Sequence, residues 1–94
     1  MEKINNFFII TIDFKNSAYD TICYNKNEVI DNIASLKKQQ GNLDNCKIII
    51  EKKKVKNDNI FDNISEKREF EQLLFDGDEE VLNSIVTQEK ITID

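Results

Sequence analysis

A chain of 94 residues with 39% hydrophobic and 33% charged side chains suits one modest α+β domain and leaves no length for two. Its net charge is −5 and it has no histidine, which excludes histidine-based nucleophilic and acid-base catalysis and any histidine-containing zinc site. Two cysteines cannot complete a zinc site alone, and two glycines, Gly41 and Gly77, cannot form a phosphate-cradling loop, so neither cofactor nor metal is expected.

The segment before residue 7 lacks the basic region and cleavage site of a signal peptide, and the longest apolar run is far short of a membrane span. A cytoplasmic protein with no membrane contact is expected. Residues 7–14 alternate: Phe8, Ile10, Ile12 and Phe14 share one pleat face, and Phe7 and Ile9 share the other with Thr11 and Asp13. After turn-forming residues 15–18, the run from Tyr19 to Tyr24 alternates again, so the first 25 residues read as a hairpin. Cys23 and Cys46 fall inside strand patterns and read as buried reduced thiols.

A helix follows. Asn25 or Asn27 can cap it, and Glu28 stands three positions after Asn25 in a capping-box arrangement. Val29, Ile30, Ile33 and Leu36 form its apolar stripe, and Gly41 is the expected terminator. Residues 46–56 read as a third strand, apolar at Ile48, Ile49 and Ile50 and then lysine-rich, expected to leave the sheet after Glu51. A right-handed crossover makes this strand antiparallel to the first, giving the order 2-1-3 with the lysine strand at an edge, where lysine discourages strand pairing.

Ile60, Phe61 and Ile64 lie in a connector too apolar to float free. Ser65 is the expected cap of a helix through about Phe75, with Phe70, Leu73 and Leu74 inward. After Asp76-Gly77-Asp78, Asp78 is the expected cap of a last helix carrying Val81, Leu82, Ile85 and Val86, with Glu79 and Glu80 in its first turn. Ile91 and Ile93 leave residues 89–94 open as a short strand or a tail. The fold expected is a β-β-α-β core with two C-terminal helices, the helices on one sheet face.

Charge is sorted along this order. Residues 37–56 hold seven lysines against Asp44 and Glu51, a balance of +5; residues 58–94 hold eleven acids against Lys67, Arg68 and Lys90, a balance of −8. Two surfaces compete. Lys47, Lys52, Lys53, Lys54 and Lys56 offer cations to phosphates, but without interleaved aromatics and with one arginine in the chain. Glu69, Asp76, Asp78, Glu79 and Glu80 offer a negative surface whose carboxylates can stand where phosphates stand in a partner's basic groove. The acidic set is the better candidate, because edge protection already accounts for the lysines.

Lysine outnumbers arginine twelve to one, and asparagine and isoleucine abound, as an AT-rich coding sequence produces. In size, composition and charge the chain resembles the small inhibitors carried by phages and other mobile elements, anti-CRISPR proteins among them; immunity proteins and antitoxins are similar. The resemblance rests on no motif and assigns no residue a role. It implies a non-enzymatic nucleic-acid mimic that binds and blocks a basic, nucleic-acid-handling protein partner in the host cytoplasm. A small nucleic-acid-binding regulator is the second reading, and a self-associating assembly subunit, a homodimer for instance, the third.

Overall fold

The computed structural model describes residues 4–14, 17–40, 46–56, 64 and 66–93. In chain order the elements are β1 (Asn6–Phe14), β2 (Ser17–Cys23), α1 (Lys26–Gln40), β3 (Cys46–Val55), α2 (Lys67–Asp76), α3 (Glu79–Asn83) and β4 (Ile85–Ile93). The strands form one antiparallel sheet in the order β2-β1-β3-β4. The expected order 2-1-3 holds, with the most apolar strand, β1, between β2 and β3.

The two-sided apolar character of β1 decides the layers. Phe8, Ile10, Ile12 and Phe14 pack with Cys23, Cys46 and Ile48 beneath Val29, Ile33 and Leu36 of α1. Phe7 and Ile9 point the other way and pack with Ile22, Val55, Ile64 and Ile85 against Phe70 and Leu74 of α2. Consecutive residues of a strand face opposite sides, so α1 and α2 cover opposite faces. The expectation of helices on one face is corrected: a strand with phenylalanine on both sides needs a cover on both.

Local signals hold where a side chain carries them. The Glu28 backbone N–H donates to Asn25 Oδ1 at 2.9 Å, and Glu28 Oε2 accepts from Asn25 Nδ2 at 2.9 Å and from the Tyr24 N–H at 3.3 Å, so Asn25 starts α1 through a capping box. Gly41, Ile60, Phe61 and Ser65 lie outside the described residues; α2 starts with Glu66 in the N-cap position and no side-chain capping bond. Neither Cys23 nor Cys46 forms a disulfide and both are buried; burial, reinforced by Glu28, pushes the Cys23 thiol above its ordinary pKa, the setting of an unreactive cysteine.

The C-terminal third departs most from expectation. The last helix ends at Asn83, and Ile85 and Val86, expected on it, belong to β4. Ser84 closes α3, its N–H donating to the Val81 carbonyl at 3.0 Å and its Oγ to the Glu80 carbonyl at 2.9 Å. β4 then pairs along β3, with Ile48 opposite Ile93, Ile50 opposite Ile91, Glu51 opposite Lys90 and Lys52 opposite Glu89; a bulge follows, and Lys53 stands opposite Thr87. The lysine strand therefore neither leaves the sheet after Glu51 nor forms its edge. It is an interior strand, because residues 85–93 match it in apolar spacing and in charge sign.

Tyr24, just past β2, ties α2 to this frame. Its hydroxyl donates to Glu71 Oε1 at 3.2 Å, Lys67 Nζ lies 4.6 Å from its ring centroid, and its ring meets Phe70 at 6.2 Å. Burial, and then the Glu71 carboxylate through charge and hydrogen bond, push the Tyr24 phenol well above the ordinary tyrosine range. The phenol ionises at higher pH folded than unfolded, so its contribution is complete below pH ~10 and is lost as pH rises beyond that. Tyr24→Phe is expected to cost about 1 kcal/mol at neutral pH. It should also flatten the alkaline fall in stability measured by urea unfolding above pH ~10; an unchanged slope would contradict the contact.

Candidate protein-binding surface

The acids singled out from the sequence gather on α2, α3 and the turn between them. On α2 the buried residue is Phe70, so Glu69, Gln72 and Asp76 face solvent. Gly77, at φ 69°, terminates the helix in the left-handed region that disfavours other residues, although space around it is open. The chain turns through Asp78 into α3, whose single buried residue is Val81, leaving Glu79 and Glu80 exposed.

Helix capping does not use these carboxylates. Asp78 occupies the N-cap position, but only its backbone carbonyl takes part, accepting from the Leu82 N–H at 2.9 Å. Among the described residues, the side chains of Asp76, Asp78, Glu79 and Glu80 make no hydrogen bond or ion pair. The cations on α2 stand at its other end: Lys67, over the Tyr24 ring, is nine residues from Asp76, about 13 Å along the axis. Among the described residues of α2 and α3 no cation stands at the turn; Lys56, whose N–H donates to the Ser84 carbonyl at 2.6 Å, lies at the far end of α3.

Two apolar side chains missed as site residues lie within this acidic stretch. Phe75, in the last turn of α2, is 57% exposed, and Leu82 on α3 is 56% exposed. Leu82 was expected in the core; α3 is only five residues long, and Val81 takes its one buried position. Exposed large apolar side chains interspersed along the chain with acids match the mixed composition of an interface, with apolar anchors and a polar rim. The signal was present in Phe75, which directly follows Leu73 and Leu74 and so cannot share their inward face.

The lysines are dispersed instead. Lys47 and Lys53 lie on the α2 side of β3, and Lys52 and Lys54 on the α1 side. Lys53 is engaged, its ammonium 3.2 Å from Glu51 Oε2 and hydrogen-bonded to Thr87 Oγ1. Lys56 is exposed just beyond the strand. A run that is continuous in sequence thus becomes separate points on two faces.

Among the described residues, no three acidic or thiol side chains converge to hold a metal ion, and no helix is long and apolar enough to cross a membrane. Comparison with protein-family models, with curated proteins and with solved structures finds no match to this chain.

Proposed function

We propose that this chain is a non-enzymatic acidic interaction protein, of the kind carried by phages and mobile elements, that binds and blocks a basic, nucleic-acid-handling protein through the α2–α3 ridge. The observation that carries this reading is the set of exposed carboxylates Asp76, Asp78, Glu79 and Glu80, without ion-pair partners among the described residues, on the same two helices as the exposed Phe75 and Leu82. The carboxylates steer a basic partner and select against acidic ones, while Phe75 and Leu82 supply the desolvated contacts that hold it. The alternating placement of the lysines supports the acidic rather than the basic surface, because a phosphate backbone is gripped by cations on one face.

Affinity capture from a lysate of the cells that encode the chain tests this. The wild type should enrich a basic nucleic-acid-handling protein, and a variant with Glu69, Asp76, Asp78, Glu79 and Glu80 changed to lysine should lose it while its circular dichroism stays unchanged. Equal recovery by both would overturn the proposal.

A further inference from the structure

The α1 face of the sheet is only partly covered. Four strands spaced at about 4.8 Å span about 14 Å between outer axes, whereas one helix covers about 10 Å. α1 lies over Cys23, Ile10 and Ile48 of β2, β1 and β3, so the β4 side of this face stays open. Ile91 and Ile93 of β4 are 47% and 44% exposed there, and Ile30 on the facing flank of α1 is 62% exposed.

Between them runs a half-open groove of about 310 Å³. Its floor is Phe8, Ile50 and Ile91, and its wall is Val29 and Ile30 of α1. Three charged groups line it: Lys26, Lys52 and Glu89, a balance of +1. Lys52 stands opposite Glu89 in register, yet among the described residues neither Lys26 nor Lys52 makes a hydrogen bond or ion pair. Lys26 is also the first residue of the 15-residue α1, where Glu28 in the first turn offsets the positive helix end, so the two ammonium groups carry the attraction. An apolar trough with two ammonium groups that have no ion-pair partner among the described residues, against one carboxylate, complements a small molecule with an apolar body and one anionic head.

We propose that this groove binds a small amphipathic carboxylate, its head between Lys26 and Lys52 and its chain on Phe8, Ile50 and Ile91 beneath Ile30. At about 30 Å³ per methylene-sized group, the volume takes about ten non-hydrogen groups, the size of an eight-carbon acid. The site is separate from the acidic ridge, since α2 packs on the opposite sheet face.

The test is a methyl and amide NMR titration of the full chain with octanoate, with octanol and octylammonium as probes of the head group. Octanoate should give saturable shifts centred on Ile30, Ile50 and Ile91 with a Kd on the order of 1 mM, and the other two should bind about tenfold more weakly. Lys26→Gln with Lys52→Gln should reduce octanoate to the octanol level. Ile30→Asp, at an exposed position that leaves the core intact, should abolish binding, and reversal of the acidic ridge should change nothing. The absence of saturation by octanoate, or equal binding of all three probes, would overturn the proposal. So would ligand-free shifts at Ile30 and Ile91 that follow protein concentration, because a second copy would then occupy the groove.

Discussion

Phe70→Ala is expected to cost about 3–5 kcal/mol in equilibrium unfolding. Phe70 is 1% exposed, meets the Phe7 ring edge-to-face at 5.2 Å and 86°, and packs with Ile22 and Val55. The aromatic geometry adds about 1 kcal/mol to the burial it accompanies. α2 is otherwise held by half-buried Leu73 and Leu74 and by the Tyr24 contact, so truncation leaves a cavity that a ten-residue helix cannot collapse to fill. Against a total of about 5–15 kcal/mol for a small domain, such a loss brings the chain close to unfolding. Phe75→Ala, on the same helix but 57% exposed, should stay within about 0.5 kcal/mol of wild type. A loss under about 1 kcal/mol for Phe70→Ala would mean that α2 is not docked on the sheet.

Phe75→Ser combined with Leu82→Ser is expected to leave stability nearly unchanged and to weaken partner binding by about 100-fold or more. Both side chains are more than half exposed in the free chain, so little folding energy rests on them. In a complex they are the large apolar groups of the ridge, and truncating a central anchor of an interface typically costs about 2 kcal/mol or more. The loss should appear in the dissociation rate, because short-range contacts set the lifetime of a complex while charges set the encounter. Surface plasmon resonance with the captured partner reads this directly; an unchanged dissociation rate would show that the apolar pair lies outside the interface.

How much of this was legible in the sequence depended on whether a signal was local. The alternation in β1, the Asn25 and Glu28 cap and the hairpin could be read within a few residues, because period and spacing express them directly. The place of β3 could not be read from β3 alone. Lysine-rich edge strands are common, and what makes this strand interior is cross-strand matching with residues about forty positions away, Ile50 to Ile91 and Lys52 to Glu89. Once β4 pairs there, edge protection no longer explains Lys52, Lys53 and Lys54. Alternation then separates them, Lys53 to one face with Glu51 and Lys52 to the other. The second helical layer was implied by Phe7 and Ile9, apolar residues on the side of β1 that one layer of helices leaves bare.

For the ridge, composition identified the acids but not the apolar centre. Helical periodicity separates the two sides of α2 and sets Phe75 apart from Phe70, whereas the exposure of Leu82 follows from the docking of Val81 on a five-residue helix, which is tertiary. The charge split also changes meaning. Part of the positive half is taken up within the sheet, where Lys53 pairs with Glu51, while among the described residues Asp76, Asp78, Glu79 and Glu80 make no hydrogen bond or ion pair.

The most direct measurement of that account is the association rate with the captured partner across a salt series. It compares the wild type with the variant in which Glu69, Asp76, Asp78, Glu79 and Glu80 are lysine. The wild-type rate should be high at low salt and fall steeply as salt is added, and the reversed variant should associate about 100-fold more slowly at low salt with a flat or rising dependence. Equal rates at low salt, or a wild-type rate indifferent to salt, would contradict an acidic ridge that recruits a basic partner.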